Sequence, residues 1–451
     1  MDLDQNRLTY KNIIIFWLPL LATLIMMMVE APFLASVIAR LTNPKYHLAA
    51  FGVAYSIAMF FESPVMVNMS TSNALVRDKN SYIKLRNFTY VINGIITILM
   101  LVTLAPPIFR FLFEGVIGLP EVVSKKTHIA CFILLLWPAA IGYRRFYQGI
   151  LIRNNLTRRV SYGTIIRLVS MAVTALVSYF YFEMGGAYVG ATALLAGVLM
   201  EAMASRLMVR NLVNQLLKDG GDLSQEKPLS YKDIIDFYTP LAASSMLSLG
   251  IRPLVTFFMG RSRFAIESLA VFPVIYGLVG MFFTFGWSLQ ETCIALIGQK
   301  FEQFKKLKNF AIGLGLCATG GLFLIAYTPL STGWFHAISG LSSELTNFSM
   351  TPIRLIAVIP LLHVLVCFLQ SSLIAARFTG AVIKSTAIEV TAIILVLFIG
   401  IHYLDMVGIM AAVSAMILGR FFSGAYLTIP FYKALRLKAE SGRRNRVRSL
   451  D

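Results

Sequence analysis

Residues 26–35, MMMVEAPFLA, place a carboxylate and a proline side by side within a long apolar run. Between residues 12 and 39, Glu30 is the only acidic or basic side chain. A carboxylate in apolar surroundings is costly, and such residues in membrane helices often exchange protons or ions. Pro32 removes one backbone hydrogen bond and bends a helix. The two residues together predict a hinge beside a carboxylate that serves coupling or gating.

Further charges lie inside other apolar runs. Each costs about 2.5–3.5 kcal/mol at the centre of a membrane helix unless it is paired or hydrated. They therefore predict buried ion pairs, a water-filled cavity, or both. The cations are all arginines (Arg110, Arg144, Arg145, Arg167, Arg252, Arg354 and Arg420), and the acids are Glu30, Glu62, Glu201, Glu291 and Glu389.

Five polar residues in these runs are candidates for substrate binding. Arg144, Tyr147 and Gln148 recur at helical spacing and share one face of a helix. Arg252 and Arg354 each lie beside a helix-breaking proline. Because the planar guanidinium group matches carboxylate and phosphate geometry, this set predicts an anionic small-molecule substrate.

Four other charges are candidates for coupling or gating: Glu30, Glu62, Arg167 and Glu389. An alternative is that such charges form salt bridges between two lobes and hold one conformation. Arg167 with Glu389 is then the favoured pair.

The elements that position these residues are membrane helices. The 451-residue chain is 57% hydrophobic and 14% charged, with a mean hydropathy of +0.73, whereas a soluble protein carries about 25% charged residues. Apolar segments long enough to cross about 30 Å of hydrocarbon recur throughout the chain. We predict an all-α integral membrane protein with twelve transmembrane helices at 12–40, 48–75, 88–113, 129–151, 161–183, 186–208, 238–260, 268–297, 309–330, 348–374, 385–402 and 406–432.

The net charge of +18 is distributed by side of the membrane, which argues against nucleic-acid binding. The tails and even-numbered connections hold 27 of the 40 cations: Arg7, Lys11, Arg77, Lys79, Lys84, Arg86, Arg153, Arg158, Arg159, Arg206, Arg210, Lys218, Lys227, Lys232, Lys300, Lys305, Lys306, Lys308, Arg377, Lys384, Lys433, Arg436, Lys438, Arg443, Arg444, Arg446 and Arg448. The opposite connections hold six: Arg40, Lys45, Lys125, Lys126, Arg261 and Arg263. The positive-inside rule then places both termini in the cytoplasm of a plasma-membrane protein. The basic tail is expected to contact anionic lipids.

The sequence also repeats itself. Residues 19–55 align with 240–276 at an offset of 221, and an offset of 222 relates Gln148 to Gln370 and Gly197 to Gly419. We therefore predict an N-terminal six-helix lobe at 1–217, a cytoplasmic linker at 218–237, a C-terminal six-helix lobe at 238–432 and a tail at 433–451. Parallel six-helix repeats are typical of secondary transporters, which bind substrate between the halves and rock around it.

Other classes of protein find little support. The chain has no Walker loop, no GxSxG and no HExxH motif, so an enzyme is disfavoured. All four cysteines (Cys131, Cys293, Cys317 and Cys367) fall inside predicted spans and indicate buried thiols rather than disulfides or a metal site. We expect no cofactor, H⁺ or Na⁺ as a possible coupling ion, and a monomer.

Three strings carry a resemblance: LAAFGVAYSIAMFFESPV (48–65), IRPLVTFFMGR (251–261) and PIRLIAVIP (352–360). They resemble the progressive ankylosis (ANK) family, which is related to the superfamily of MATE-type multidrug transporters and oligosaccharide-lipid flippases, the MOP superfamily. This resemblance implies two six-helix lobes around a central cavity, alternating access, and export of small anions such as pyrophosphate, nucleotides or citrate. Arg252 and Arg354 match the family's Arg-Pro and Pro-x-Arg positions, and Glu30 matches an acid in its first helix. Glu62 departs from the family's Phe-Phe-x-x-Pro segment, so the substrate can differ.

Three functions stay open from the sequence. The first is a secondary-active exporter of a small organic or phosphorylated anion. The second is a MATE-type exporter of cationic drugs, coupled to H⁺ or Na⁺ through Glu30, Glu62 or Glu389. The third is a flippase for a lipid-linked substrate.

Overall fold

The computed structural model of the protein describes residues 9–154, 156–218, 229–297, 303–376 and 378–447. Throughout these ranges the backbone is helical, with short connections and no β-strand. The first half contains α1 (Tyr10–Met28), α2 (Glu30–Ala39), α3 (Pro44–Glu62), α4 (Asn68–Leu75), α5 (Lys79–Thr103), α6 (Pro106–Phe109), α7 (Glu121–Ile133), α8 (Trp137–Arg153), α9 (Thr157–Tyr181) and α10 (Gly186–Lys218). The second half contains α11 (Tyr231–Leu249), α12 (Ile251–Gly260), α13 (Ala265–Leu296), α14 (Phe304–Tyr327), α15 (Leu330–Thr332), α16 (Ser343–Ile356), α17 (Ile359–Ala375), α18 (Thr379–His402) and α19 (Gly408–Val447).

Ten helical stretches in the described residues are long and apolar enough to cross a membrane. Two bent pairs, α3 with α4 at 55° and α16 with α17 at 42°, bring the number up to twelve. The predicted all-α, multi-pass membrane fold is therefore confirmed. The bend between α3 and α4 belongs to the first half alone, since the repeat places α13, one unbroken helix, at the equivalent position of the second half.

The first helix of each half is interrupted at the same place. Between α1 and α2 the break falls at Val29, and between α11 and α12 it falls at Gly250. The repeat offset of 221 relates these two positions, and each precedes its proline by three residues. A proline has no backbone N–H and cannot donate to the carbonyl four residues earlier. The helical hydrogen bonding is therefore weakest in the turn that precedes Pro32 and Pro253. A helix break thus occurs beside Glu30, where the sequence predicts a hinge.

The contacts between helices divide the chain into two compact units that differ from the halves of the repeat. Unit 1 contains Met1–Phe33 and Val271–Asp451, and unit 2 contains Leu34–Ala270. The start of the first span therefore packs with the second half, and the seventh span (α11 and α12) packs with the first half. The lobes defined from the repeat, 1–217 and 238–432, stay a prediction, and most of the predicted linker, residues 219–228, lies outside the described part of the chain.

The core of unit 1 binds α1 to α13. The indole nitrogen of Trp17 donates to Ser288 Oγ at 2.8 Å in a buried position, and Trp17 belongs to an apolar cluster with residues of α13, α14 and α17. At the break of the first span, Pro32 packs directly on Gly277, where an added Cβ would lie 2.7 Å from Pro32 Cγ. The missing side chain at Gly277 makes room for the proline.

The core of unit 2 also contains buried aromatic side chains. Tyr82, Phe146 and Tyr147 lie in its main cluster, and Tyr238 of α11 lies in a smaller one. The Tyr238 hydroxyl donates to the carbonyl of Pro64 at 2.7 Å, inside the bend between α3 and α4. This bond satisfies a carbonyl that the bend withdraws from regular helical pairing.

The four cysteines are free thiols. Cys131, Cys293 and Cys367 are buried as predicted, but the prediction is wrong for Cys317, whose side chain is exposed. The reason is that α14 presents most of its surface outward, since only 33% of its most apolar 18-residue stretch is buried. Of the predicted basic tail, 433–451, the structure describes the side chains of residues 433–435, and its lipid contacts stay a prediction.

The Tyr238 bond predicts a stability effect. Replacing Tyr238 with Phe keeps the ring and removes the donor to Pro64, so the free energy of unfolding should fall by about 0.5–1.5 kcal/mol. Thermal unfolding of the purified protein in detergent measures the loss. Tyr231→Phe, at a position that is 48% exposed on the same helix, should unfold like the wild type. Equal melting of both variants would contradict the bond's contribution.

Candidate functional site

A buried carboxylate lies at the centre of unit 2. Glu201 of α10 is 1% exposed and accepts hydrogen bonds from two side chains of α8. Gln148 Nε2 donates to Glu201 Oε1 at 3.0 Å, and the Arg144 guanidinium donates to Glu201 Oε2. The charge-assisted bond between Arg144 and Glu201 is of the kind that compensates the desolvation of both groups.

The sequence of α8 explains why this pair meets Glu201. Arg144 and Gln148 are four residues apart, so they lie on one face of the helix. Gly142 and Gly149 allow close packing elsewhere, because an added Cβ would collide with Asn93 at the first position and with Ser72 at the second. The helix is thus held against α4 and α5 while its polar residues reach α10.

Other charged residues surround Glu201. Arg167 of α9 is buried, with Nε 3.5 Å from Glu201 Oε2. Arg145 interacts electrostatically with Arg144, Arg167, Glu201 and also Glu62. Three guanidinium groups therefore share this part of unit 2 with two carboxylates. When all five groups are ionised, the charge is 3 − 2 = +1.

Unit 1 contains a counterpart with the charges exchanged. Glu389 Oε1 of α18 lies 3.2 Å from Arg420 Nε of α19. The repeat offset of 222 places Glu389 opposite Arg167 and Arg420 opposite Val198, one turn before Glu201. In each half, an Arg–Glu pair therefore joins the fifth and sixth spans. The fifth span supplies the arginine in one half and the glutamate in the other.

These contacts bear on the predicted gating pair. Each of Arg167 and Glu389 has a carboxylate or guanidinium partner inside its own unit. Neither contact requires a pairing of Arg167 with Glu389, which stays a hypothesis.

The three candidate residues on α8 are all buried. Tyr147 packs in the aromatic core of unit 2, with its hydroxyl 3.4 Å from the hydroxyl of Tyr90. Arg144 donates to Glu201, which is one of the buried ion pairs that the sequence leaves open beside a cavity. A role of Arg144, Tyr147 and Gln148 in substrate binding stays a prediction, and their observed role is to tie α8 into unit 2.

Arg252 has different surroundings. It is the second residue of α12 and is half-buried. Its guanidinium carbon lies 5.0 Å from the centre of the Tyr55 ring, and Nη1 donates to Met59 Sδ at 2.9 Å. One turn further along, Thr256 donates to Ser56 Oγ at 3.1 Å. These aromatic and thioether contacts orient the guanidinium group.

Arg354 lies in unit 1 near the end of α16 and is exposed. Its guanidinium carbon is 5.8 Å from the centre of the Tyr327 ring, and its Nε donates to the carbonyl of Ala326 at 3.5 Å. Arg252 and Arg354 therefore belong to different contact units, although both come from the second half of the chain.

The two remaining candidates mark breaks in helices. Glu30 is the first residue of α2 and is half-buried. Glu62 is the last residue of α3, at the bend before α4, and is buried. Arg145 Nη1 donates to Met69 Sδ at 3.4 Å on the far side of that bend. Both carboxylates thus lie where a change of helix direction can alter their surroundings.

Sequence reasoning did not assign three residues that the structure brings forward. The sequence places Glu201 and Arg420 among the intramembrane charges and leaves their partners open, and their positions one turn apart under the repeat offset are the signal that relates the two pairs. His363 of α17 is fully buried, and its Nε2 lies 3.1 Å from the carbonyl of Phe283. Among the described residues, no group of three or more His, Cys, Asp and Glu side chains could hold a metal ion.

Comparison with solved structures defines the class of fold. The chain is similar to an inward-facing multidrug resistance MATE family transporter of the MOP superfamily, with a TM-score of 0.72 and 13% identity over 94% of this chain and 99% of that one. An outward-facing conformation of such a transporter matches with a TM-score of 0.62 and 14% identity, over 95% and 96% of the two chains. This is the fold of the MATE and MOP membrane transporters.

A further match is a MOP superfamily transporter from Pyrococcus furiosus Vc1 (DSM3638), whose reverse polarity of the binding pocket is said to suggest a different function. Its TM-score is 0.67, with 13% identity over 95% of this chain and 96% of that one. The model of the progressive ankylosis protein (ANKH) family matches residues 3–302. The chain therefore belongs to the progressive ankylosis protein family, as its sequence strings indicate.

The buried charges predict which substitutions impair folding. Glu201→Met removes the carboxylate from beside Arg144 and Arg167, which should destabilise unit 2 by about 3–5 kcal/mol and lower the yield of folded protein. Glu267→Met removes the partly exposed partner of Lys45 and should cost no more than about 1 kcal/mol. Size-exclusion yield and thermal unfolding compare the two. A Glu201→Met protein that folds as well as Glu267→Met would contradict the central place of Glu201.

Proposed function

We propose that this protein is a secondary-active transporter that works by alternating access and carries a small organic or phosphorylated anion. The observation that carries the proposal is the excess of guanidinium groups over carboxylates in the membrane-spanning part of unit 2. Arg144, Arg145 and Arg167 lie there with Glu201, and Glu62 is near Arg145. A positive region of low dielectric raises the local concentration of anions.

Arg252 is the residue we assign to the anion itself. Its ring contact with Tyr55 and its contact with Met59 fix the direction of the guanidinium group. An oriented guanidinium binds carboxylate or phosphate through two parallel hydrogen bonds. Arg354 is the second candidate, because it carries the same chemistry beside a proline in unit 1.

The comparisons support this proposal at two levels. MATE-type structures in inward-facing and outward-facing conformations support alternating access for a chain with the same fold. The reverse polarity named for the Pyrococcus furiosus transporter supports the idea that this fold accommodates cargo of another charge. Family membership supports export of anions such as citrate, pyrophosphate or nucleotides.

A second candidate function is the export of cationic drugs. The observation that favours it is that two of the matched structures are multidrug resistance transporters. Glu30, Glu62 and Glu389 would then exchange H⁺ or Na⁺. The two functions differ in the sign of the cargo, so transport measurements separate them.

The first prediction concerns cargo charge. In proteoliposomes, the wild type should take up labelled citrate, pyrophosphate or nucleotide. Arg252→Gln or Arg354→Gln should weaken this uptake about tenfold or more, because each variant loses a charge-assisted contact. Arg263→Gln, an exposed residue at the end of the seventh span, is the matched control.

Protein yield must be measured alongside, so that folding and transport are separated. Normal yield with undiminished anion uptake in both variants would refute the assignment of these arginines. Efflux of cationic dyes by a wild type that moves no anion would favour the drug-exporter function.

The second prediction concerns coupling. Glu30 lies at the break between α1 and α2, so a change of helix direction should alter its exposure to water. Glu30→Gln cannot exchange a proton, and uptake driven by an imposed H⁺ or Na⁺ gradient should fall to the rate seen without a gradient. Glu183→Gln, an exposed position between α9 and α10, should keep the gradient-driven rate. Full gradient-driven uptake by Glu30→Gln would exclude its coupling role.

A further inference from the structure

A histidine caps the longest helix of unit 2. His47 of α3 is 3% exposed, and the backbone N–H of Ala187, in the first turn of α10, donates to His47 Nδ1 at 3.2 Å. The Tyr188 ring packs edge-on against the imidazole at 5.8 Å. Since Nδ1 accepts this bond, a neutral imidazole carries its proton on Nε2.

The Nε2 atom faces another donor. Lys126 Nζ of α7 lies 3.2 Å from His47 Nε2. An ammonium group has three N–H donors and no acceptor, and a neutral imidazole has one acceptor nitrogen. The amide of Ala187 and the ammonium of Lys126 therefore compete for one lone pair. Whichever tautomer His47 adopts, one of these contacts brings two donors together.

Neighbouring lysines do not share this arrangement. Lys125 Nζ lies 2.6 Å from Glu121, and Lys45 Nζ lies 2.8 Å from Glu267. The described contact of Lys126, by contrast, is an imidazole. The start of α10 is the positive end of the helix macrodipole. This partial charge adds to the charge of the Lys126 ammonium group, so the location attracts an anion.

The backbone beside these donors carries no side chains. Gly185 and Gly186 precede Ala187, and an added Cβ at Gly185 would collide with the His47 ring. The imidazole can therefore approach the backbone at the start of α10. Lys126 is half-buried within the second turn of α7, near the start of the helical stretch Glu121–Arg153, which is long and apolar enough to cross a membrane.

We propose that Lys126 and His47, beside the first turn of α10, bind a phosphate-type oxyanion, supplied either as free phosphate or as a phospholipid headgroup. Its oxygens accept from the Lys126 ammonium and the His47 N–H together, which resolves the conflict between donors. The site lies wholly within unit 2 and does not depend on the identity of the transported cargo.

The experiment measures binding rather than transport. Purified protein in detergent is titrated with inorganic phosphate against chloride at equal ionic strength, and the thermal unfolding midpoint is followed. A second arm compares dioctanoyl phosphatidic acid with dioctanoylglycerol, which differ only by the phosphate. Lys126→Met should weaken the stabilising effect about tenfold in apparent dissociation constant, whereas Lys126→Arg and Lys125→Met should keep it.

The outcomes decide both the site and the source of the anion. Stabilisation by free phosphate that is lost in Lys126→Met supports a site for a soluble anion. Stabilisation by phosphatidic acid alone, again lost in Lys126→Met, supports a headgroup site. Absence of stabilisation in both arms, or a wild-type response from Lys126→Met, would overturn the proposal.

Discussion

The cost of placing charge in hydrocarbon is the constraint on which the rest of this structure depends. Each half compensates this cost with an Arg–Glu pair between its fifth and sixth spans. The pairs are Arg167 with Glu201 in one half and Arg420 with Glu389 in the other. Buried pairs contribute little net stability, but either member alone is strongly destabilising. Each pair therefore acts mainly as a constraint on packing. Because either charge alone would be costly, α9 stays against α10, and α18 stays against α19.

Against these paired helices, the first span of each half is built to change direction. It breaks at Val29 and at Gly250, three residues before a proline. At the first break, Gly277 provides the space into which Pro32 fits, so the interruption is packed rather than loose. Glu30 and Arg252 lie immediately after the two breaks. In the proposed mechanism, a shift in backbone direction at these breaks would move the neighbouring charged group between environments.

The intramembrane arginines differ in their surroundings, and this difference bears on the proposed transport. Arg144 donates to the buried carboxylate of Glu201, whereas the described contacts of Arg252 include the Tyr55 ring and the Met59 thioether. A transporter must bind its cargo and then release it, so a guanidinium that is oriented and half-buried, as that of Arg252 is, suits that task. This difference separates arginines that build the protein from those proposed to meet an anion.

The sequence by itself determined the all-helical membrane fold with up to twelve spans, the duplication and the break beside Glu30, because hydropathy, repeat offset and proline position can be read along the chain. It could not determine that Arg144 and Gln148 converge on Glu201, 53 residues beyond Gln148, or that His47 caps α10. Those contacts depend on which faces of distant helices meet. The tertiary structure alone decided that α1 packs with α13 through Trp17 and Ser288, and that α12 packs with α3. The physical reason is that an apolar helix surface fits many partners in a membrane, and only close packing at glycines and pairing of buried polar groups select one.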